Sequence, residues 1–362
     1  MKFVLAGYFG FGNFGDEAIF KYALDVLGFY YKEAEVVAIT ESPYFAKKHY
    51  GVNAVHRFNI REIIKQLKTC DYLIFPGGSV LQDVTSLKSI LYYLFLIFLA
   101  KLFEKQIILL AQGIGPINNK FAQFLTYKLL KKITLITLRD EKSYDLLMRN
   151  SVFGEQTADL LWAFTQKMAF SEKKEAIVYG DIACNVEKKK VGIQLRSWKS
   201  LTLDKIELLA KAILKEFPFV EYDYKLISLQ KSLDEPVLIT LGEFLHKFAS
   251  ESSIELYSEN DIEKNVEYLQ SMDYMIAMRF HAGLCTINAE KSILMISYDP
   301  KTEEFCNELG LKYIDVNDFN EQSLQEGFKW LKEFNPARTA LKTNILVKKS
   351  QQNVDYLVKV IK

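Results

Sequence analysis

Residues 7–20 read GYFGFGNFGDEAIF and follow a short apolar run, KFVLA, at residues 2–6. An apolar strand, a glycine-rich loop and a helix, in this order, are typical of the first unit of a parallel α/β sheet. The helix is indicated by apolar residues that recur every three or four positions: Ala18, Ile19, Tyr22, Ala23, Val26 and Leu27. The stretch therefore predicts an α/β fold whose first loop lies at the carboxyl end of a strand.

This loop contains a literal G-x-G-x-x-G from Gly10 to Gly15, the spacing of a dinucleotide-binding loop. That fingerprint places its first glycine at the turn directly after the strand, a position that Gly7 holds here. Asp16 and Glu17 stand at the start of the helix, where their charges suit the helix dipole but would repel a pyrophosphate. We therefore interpret the loop as one that presents carboxylates, and a nicotinamide-dependent oxidoreductase stays open as an alternative.

The composition narrows the class of protein. A length of 362 residues suggests two domains, and 49% hydrophobic with 25% charged residues is ordinary for a globular chain. A net charge of +1 provides no field that would attract nucleic acid. The four cysteines form no C-x-x-C pair and the four histidines are scattered, so we expect no metal site. We expect a reduced, cytoplasmic protein without a signal peptide.

Strand-like and helical patterns alternate in both halves of the chain, which is typical of parallel sheets covered by helices on both faces. In the first half, strands are expected near residues 2–6, 35–40, 72–75, 106–111 and 133–138. In the second half, they are expected near residues 191–195, 224–228, 254–257, 273–278 and 293–297. The predicted fold class is α/β, with two Rossmann-like domains and a cleft between them.

The predicted organisation has four parts. An N-terminal Rossmann-like domain covers residues 1–165, and a C-terminal one covers residues 190–335. The charged runs EKKE and EKKK mark residues 166–189 as a linker, and residues 336–362 form a C-terminal helix.

Polar residues and glycines gather just beyond the strands of the N-terminal domain, where open α/β sheets keep their sites. Paired glycines allow backbone N–H groups to approach a ligand. The candidate binding residues are Gly12, Asn13, Gly15, Gly77, Gly78, Ser79, Gln82 and Gln112, and the candidate bases are Asp16, Glu17 and Asp83. Arg139 and Asp140 are interpreted as a surface ion pair.

The C-terminal domain places cationic residues at its strand ends. Arg196 and Trp198 follow one strand, while Arg279 and His281 stand at a strand-to-helix junction and can point into one pocket. Lys301 follows a further strand. Two arginines, a lysine and a histidine at a helix N-terminus favour a small anion with several charges.

Seven stretches in order along the chain resemble the polysaccharide pyruvyl transferase family, and most closely its CsaB branch. They are GNFGDEAI, PGGSVLQDVTS followed by LYYL, AQGIGP, RDEKSYDLL, VGIQLRSW, MRFHAGL and ISYDPK, and they span residues 7 to about 301. The resemblance implies a GT-B-like fold and transfer of pyruvate from phosphoenolpyruvate to a sugar, with a ketal formed across two hydroxyls. For the CsaB branch it implies a lipid-linked N-acetylmannosamine disaccharide of a cell-wall polymer as acceptor.

The implied reaction assigns roles to the candidate residues. The donor charges would be held by Arg196, Arg279 and Lys301 in the C-terminal domain. His281 would act as the acid or bind phosphate, and a carboxylate of the N-terminal domain would take a proton from the sugar. Phosphoenolpyruvate is the donor substrate, and no cofactor or metal is expected. A nucleotide-sugar glycosyltransferase or epimerase with the same fold stays open as an alternative.

One apolar run, SILYYLFLIFLA at residues 89–100, lies between Lys88 and Lys101. As a helix it would span only about 18 Å, too little for a hydrocarbon core of about 30 Å. It therefore predicts either a core helix or one that touches a membrane surface. Basic residues beside a nearby apolar pattern favour peripheral contact at the inner face of the cell membrane: Lys120, Lys128, Lys131 and Lys132.

Overall fold

A computed structural model describes residues 1–84, 86–171 and 188–361. The chain divides into two units, which we call the first unit (residues 1–164 and 345–362) and the second unit (residues 165–344). Most of the predicted linker, residues 172–187, lies outside the described residues, while residues 166–171 are helical.

The first unit contains a parallel sheet. Within the described residues its strands are β1 Lys2–Ala6, β2 Glu35–Thr40, β3 Asn53–His56, β4 Tyr72–Phe75, β5 Gly78–Leu81, β6 Gln106–Ile114, β7 Leu135–Leu138 and β8 Glu155–Gln156. Their order is β3-β2-β1-β4-β6-β7-β8, with β5 paired to β6. The chain order therefore reverses direction between β1 and β4, which pair with Val4 opposite Leu73.

Helices cover both faces of this sheet. They are α1 Phe14–Tyr30, α2 Pro43–Tyr50, α3 Ile60–Thr69, α4 Leu87–Leu102, α5 Lys120–Leu130, α6 Glu141–Arg149 and α7 Leu161–Ser171. One core cluster contains buried residues of α3, α4, α5 and α6, and another contains residues of α1 and α2. The alternating side-chain directions of the strands supply both clusters, since Val4 belongs to the first and Leu5 to the second.

The second unit repeats this architecture. Its strands are β9 Lys189–Gln194, β10 Tyr222–Ser228, β11 Ile254–Ser258, β12 Tyr274–Ala277, β13 Ser292–Ser297 and β14 Tyr313–Asp315. They pair in parallel in the order β11-β10-β9-β12-β13-β14, the order of a Rossmann sheet, with its reversal between β9 and β12. Its helices are α8 Leu203–Glu216, α9 Lys231–Phe248, α10 Ile262–Gln270, α11 Phe280–Asn288, α12 Pro300–Leu309 and α13 Glu321–Glu333.

The C-terminal helix predicted from the sequence is present. A 3₁₀ turn at Pro336–Thr339 leads into α14, Ala340–Val360. The final part of this helix belongs to the first unit, where Leu357 and Ile361 join the core cluster of α1 and α2. None of the helices in the described part of the chain combines the length and apolar character that a membrane crossing requires.

A buried amide fastens α14 to the first sheet. The Oδ1 atom of Asn353 accepts hydrogen bonds from the hydroxyls of Thr137 and Thr157, at 2.5 and 2.8 Å. Its Nδ2 atom donates to the carbonyls of Ala158 and Ser350, at 2.9 and 3.0 Å. All four contacts are buried, so loss of the amide would leave several polar groups without partners.

We therefore expect Asn353→Ala to lower the free energy of unfolding by about 3 kcal/mol, because buried donors and acceptors would lose their partners. Urea denaturation followed by circular dichroism measures the change. Gln352→Ala, on the exposed face of the same helix, serves as the control and should change stability by less than about 0.5 kcal/mol. Equal effects of the two substitutions would contradict the assigned role of Asn353.

Candidate active site

Most of the polar residues predicted for the first unit lie at the carboxyl ends of β1, β4, β5 and β6. The backbone of the opening loop has φ +82° at Gly10 and φ +68° at Gly12, which favours glycine at both positions. A Cβ atom on Gly10 would also lie 2.4 Å from the Thr40 hydroxyl oxygen, whereas one on Gly12 would meet open space. The loop is thus packed at Gly10 and open at Gly12.

Glu17 is turned into this loop rather than toward solvent. Its Oε1 atom accepts a hydrogen bond from the Gly10 N–H at 2.7 Å, and its Oε2 atom accepts one from the Tyr50 hydroxyl at 3.2 Å. Burial, opposed in part by the Gly10 hydrogen bond and reinforced by the charge of Asp16, raises the pKa of Glu17 to about 7. The carboxyl group of Glu17 thus occupies loop N–H groups that a dinucleotide fingerprint would offer to phosphate.

Asp16 is half-buried in the first turn of α1 and lies beside the glycine pair that follows β4. Its Oδ2 atom accepts a hydrogen bond from Asn13 Nδ2 at 2.5 Å. Its Oδ1 atom lies 3.2 Å from the point that a Cβ atom on Gly78 would occupy. The structure therefore brings Asp16, Asn13 and Gly78 together, as the sequence predicted for one site. Gly15 is buried within the same helical turn.

The glycine pair itself is held by Gln112. Gly77 and Gly78 have φ values of +126° and +85°. Gln112 is fully buried, and its Nε2 atom donates to the carbonyls of Phe75 and Gly77 at 3.1 and 2.7 Å. Gln112 thus fixes the turn, in which both glycines are buried.

Arg139 does pair with Asp140, as the sequence interpretation has it, but the arginine is buried rather than on the surface and has closer partners. Its side chain is largely buried, and it donates from Nη1 to Asp159 at 2.8 Å and from Nη2 to the Ser79 hydroxyl at 2.9 Å. Asp140 lies further away, at 3.8 Å from Nε. Arg139 directly follows β7, and its hydrogen bond positions Ser79 of β5.

Asp83 is committed to a neighbouring loop. Its two carboxylate oxygens accept hydrogen bonds from the backbone N–H groups of Asn118 and Asn119 at 2.7 to 2.8 Å. These contacts lower the pKa of Asp83, which weakens it as a base. Gln82 beside it is half-buried. Across residues 1–84, 86–171 and 188–361, no three or more His, Cys, Asp or Glu side chains are grouped to hold a metal ion.

In the second unit, Arg279 is the centre of a buried network at the reversal point of the sheet. Its Nε and Nη2 atoms donate to both carboxylate oxygens of Asp234 at 2.5 to 3.1 Å, and Nη2 also donates to Gln230 Oε1 at 3.0 Å. Its backbone N–H donates to Gln194 Oε1 at 2.8 Å. The predicted ligand-binding arginine therefore uses one edge of its guanidinium to hold the ends of β9, β10 and β12 together.

Arg196 lies against two aromatic rings that contact each other, with ring centres 5.0 Å apart. The guanidinium carbon is 5.1 Å from the ring centre of Tyr298 and 5.8 Å from that of Trp198, and Nη1 donates to the Tyr298 hydroxyl at 3.1 Å. Burial raises the pKa of the Tyr298 hydroxyl, while Arg196 and Arg279 both act to lower it. Both arginines thus lie within electrostatic range of this hydroxyl.

His281 and Lys301 occupy the first turns of two neighbouring helices. His281 belongs to the first turn of α11, where Arg279 is the N-cap residue, and its ring lies against Phe280 at 4.9 Å. Lys301 is exposed in the first turn of α12. Both helix N-termini offer backbone N–H groups and a positive dipole end to an anion.

Sequence reasoning missed several residues of this network. Gln194 interrupts an otherwise apolar strand pattern, which was an available signal of a buried polar role. Asp234 and Gln230 precede the helix that the periodicity predicted at 237–249, and no pattern connects them to Arg279. Tyr298 directly follows β13 within the motif ISYDPK, and no sequence pattern connects it to Arg196.

Comparison with solved structures shows the fold. The chain is similar to UDP-GlcNAc 2-epimerase from Neisseria meningitidis bound to UDP-GlcNAc, with 13% identity over 99% of this chain and 100% of that one, and a TM-score of 0.64. For the enzyme from Methanocaldococcus jannaschii the identity is 9%, the coverage 99% of each chain and the TM-score 0.65. For S. aureus MnaA with UDP the identity is 12% over 99% of this chain and 97% of that one, and the TM-score is 0.64. The fold is therefore GT-B-like, and identities this low show the fold alone.

A family model identifies the chain more closely. The model for polysaccharide pyruvyl transferase matches residues 13–300. The match covers most of the chain and includes both groups of site residues, apart from Gly12 and Lys301 at its ends. This chain belongs to the polysaccharide pyruvyl transferase family. A search of curated proteins found no match.

The buried carboxyl of Glu17 generates a pH-dependent prediction. A carboxyl whose pKa rises from 4.5 in the unfolded chain to about 7 in the folded protein stabilises the fold fully only below pH 4.5, and this contribution is lost as the pH rises through about 7. Glu17→Gln should therefore gain stability relative to the parent protein between pH 4.5 and 7, by up to about 3 kcal/mol. Urea denaturation at several pH values measures the difference.

Two further variants should move this pH dependence in opposite directions. Asp16→Asn removes a neighbouring negative charge and should lower the pKa of Glu17, whereas Tyr50→Phe removes a donor that favours the ionised form and should raise it. If the free energies of unfolding of Glu17→Gln and the parent protein differ by a constant amount from pH 4.5 to 8, the raised pKa of Glu17 is refuted.

Proposed function

We propose that the protein transfers pyruvate from phosphoenolpyruvate to two hydroxyls of a sugar in a cell-wall or surface polysaccharide precursor. One observation carries this proposal beyond family membership: Arg196 and Arg279 follow β9 and β12, the two paired strands at the reversal point of the second sheet. Phosphoenolpyruvate presents a carboxylate and a phosphate on a three-carbon frame, which suits two guanidinium groups and a helix N-terminus.

The donor contacts follow from the geometry of the second unit. Arg196 is held by Tyr298 at one nitrogen, and its buried Nε atom has no hydrogen-bond partner among the described residues. Asp234 and Gln230 use Nε and Nη2 of Arg279, so Nη1 is the nitrogen through which Arg279 can reach a ligand. His281 and Lys301 add cationic or N–H contacts at the starts of α11 and α12.

The proposed reaction moves two hydroxyl protons. The methylene carbon of the donor takes up a proton and becomes a methyl group, and the first sugar oxygen bonds to the central carbon. The second sugar oxygen then displaces phosphate, which leaves with the other proton. His281 is the proposed acid or phosphate-binding group, and phosphoenolpyruvate is the only substrate besides the sugar.

Asp16 is the proposed base for the sugar hydroxyl. Of the three carboxylates predicted for this role, it is half-buried beside Gly78, whereas Glu17 is turned into the loop and Asp83 is held by backbone N–H groups. Gly12 and Asn13 would form the backbone surface against which the sugar lies, and buried Gly77 and Gly78 would shape the turn beside Asp16. Ser79, Gln82, Gln112 and Trp198 would support the two sites.

A nucleotide-sugar epimerase or glycosyltransferase is the alternative that the fold allows. Similar structures hold UDP-GlcNAc or UDP. The family match favours the pyruvyl transferase. A nicotinamide oxidoreductase is disfavoured by the loop, because Glu17 accepts a hydrogen bond from the Gly10 N–H group that a pyrophosphate would need.

We further propose a lipid-linked acceptor, as in the CsaB-like branch, and peripheral contact of the first unit with the inner face of the membrane. Most of the apolar run in α4 is core, since Ile90, Leu94 and Ile97 are buried. Three large side chains at helical spacing point outward instead: Phe95, Phe98 and Leu102. Because these three side chains are exposed to solvent, packing of the core does not explain why they are large and apolar.

The neighbouring helix α5 adds a basic rim to this surface. Lys101 of α4 donates a hydrogen bond to the Leu129 carbonyl, so the two helices are fastened at their C-terminal ends. Phe121 and Phe124 of α5 are exposed, and Lys128 lies 5.5 Å from the ring centre of Phe124. Lys131 and Lys132 follow, both exposed. Exposed aromatic rings beside lysines suit an anionic lipid surface.

The donor assignment predicts that phosphoenolpyruvate at millimolar concentration raises the melting temperature, since a ligand that binds only the folded state stabilises it. Arg196→Ala should weaken this binding at least about tenfold, because charge-assisted hydrogen bonds are lost. Lys199→Ala, an exposed cation nearby in the chain, is the control and should bind as the parent does. Arg279→Ala is less informative, because it leaves buried Asp234 without its ion pair.

The same proteins, incubated with phosphoenolpyruvate and a panel of free and lipid-linked disaccharides, should release phosphate. Asp16→Asn and His281→Ala should lower kcat roughly 100-fold or more, with donor affinity retained in Asp16→Asn. Stabilisation by UDP-GlcNAc with no response to phosphoenolpyruvate would instead favour the epimerase or glycosyltransferase, and a response to NAD the oxidoreductase.

The membrane assignment predicts co-sedimentation with vesicles that contain phosphatidylserine, weaker at high salt because the ionic attraction is screened. Changing Lys128, Lys131 and Lys132 together to glutamate should abolish binding. The matched control changes three exposed lysines elsewhere on the first unit to glutamate, Lys32, Lys47 and Lys48, and should retain it. No binding of the parent protein at low salt would refute membrane contact.

A further inference from the structure

A cluster of aromatic rings around an arginine lies at the carboxyl ends of β1 and β3, and the proposed chemistry does not use it. We call it the aromatic shelf, and its members are Tyr8, Phe11, Arg57, Phe58 and Tyr92. The rings of Tyr8 and Phe11 are stacked, with centres 4.0 Å apart and planes 5° apart. The Arg57 guanidinium lies 5.2, 5.1 and 4.7 Å from the ring centres of Phe11, Phe58 and Tyr92.

Hydrogen bonds hold the backbone of the shelf at Arg57, and two of its rings are exposed. The backbone N–H group of Arg57 donates to the Thr40 carbonyl at 2.9 Å, and the Tyr92 hydroxyl donates to the backbone carbonyl of Arg57 at 2.9 Å. The Arg57 side chain is only 13% exposed, yet Tyr8 is 37% and Phe58 66% exposed. Exposed rings held by a buried base are typical of a binding surface.

The charges around the shelf favour a neutral ligand over an anion. The Glu41 carboxylate lies 3.9 Å from Arg57 Nε and 3.6 Å from His56 Nε2. It offsets the charge of the guanidinium and would repel phosphate. Among the described residues, Arg57 Nε has no hydrogen-bond partner. A carboxylate, a guanidinium and an imidazole beside aromatic faces are groups that hydroxyls and sugar C–H faces can contact.

The shelf lies next to the proposed base. The Tyr93 hydroxyl donates to the Gly7 carbonyl at 3.1 Å. Burial raises the pKa of this hydroxyl, and Arg57, Asp16 and Tyr8 all act on it electrostatically. Phe11 of the shelf is two residues before Asn13, whose side chain donates a hydrogen bond to Asp16. The loop that carries the shelf rings therefore leads directly to Asp16.

Resting on the proposed function, we propose that the aromatic shelf binds a neutral pyranose ring of the acceptor. This is the ring next to the one whose hydroxyls face Asp16. The acceptor must then contain at least two sugars, and a free monosaccharide would lose the contacts of the shelf.

Saturation-transfer NMR without donor tests this inference, with chitobiose, lactose and maltose as disaccharide probes and N-acetylglucosamine, galactose and glucose as monosaccharides. At least one disaccharide should bind at least tenfold more tightly than its monosaccharides. Phe58→Ala should weaken that binding about tenfold, and Tyr8→Ala should do the same. Phe153→Ala removes a ring that is 78% exposed elsewhere on the first unit and should leave binding unchanged.

Three results would overturn the inference. The first is that no disaccharide binds the parent protein at 10 mM, a concentration at which even a roughly millimolar Kd is detected. The second is disaccharide binding that Phe58→Ala and Tyr8→Ala leave intact. The third is displacement of the sugar from the shelf by inorganic pyrophosphate. The NMR assay contains no donor, so it tests the shelf separately from pyruvyl transfer. Sugar binding that depends on the shelf, together with no change of melting temperature on addition of phosphoenolpyruvate, would support the shelf as a sugar site and reject pyruvyl transfer.

Discussion

The reversal of strand order in each parallel sheet is the constraint on which both candidate sites depend. Between β1 and β4, and again between β9 and β12, the connections leave in opposite directions, so the loops after these strands diverge and open a crevice at their carboxyl ends. Asp16 and the glycine pair lie at the first reversal, and Arg279 with the arginine network lies at the second. Residues far apart in sequence thus become neighbours.

In each unit, a buried carboxyl side chain holds the loops at the strand ends. In the first unit, Glu17 accepts a hydrogen bond from the Gly10 N–H group, and burial raises its pKa to about 7. In the second, Asp234 accepts hydrogen bonds from Arg279, Gln194 and two backbone N–H groups. Both residues preorganise the strand ends, and Asp16 and Arg196 are the groups that we propose to act on the substrate.

Much of the architecture could be predicted because long apolar runs and helical periodicity are local signals. Ten strands were expected, and a strand lies at each of these places. The short strands β3, β5, β8 and β14 were missed, because each contains a polar residue or glycine and none forms a continuous apolar run such as YLIF in β4. Missing β3 also hid Arg57 and Phe58, which follow it directly. The outward stripe of α4 was likewise invisible, because its helix is apolar on nearly every side.

The sequence by itself determined the α/β class, the presence of two Rossmann-like halves, the C-terminal helix and the family, since these depend on local patterns and on motifs kept in order. Only the tertiary structure decided which charges are available for chemistry. Asp16, Glu17 and Asp83 are equal in the sequence, and so are Arg196 and Arg279. They differ because burial and hydrogen-bond partners come from distant strands and loops, and the protonation and reach of a charged side chain depend on those partners.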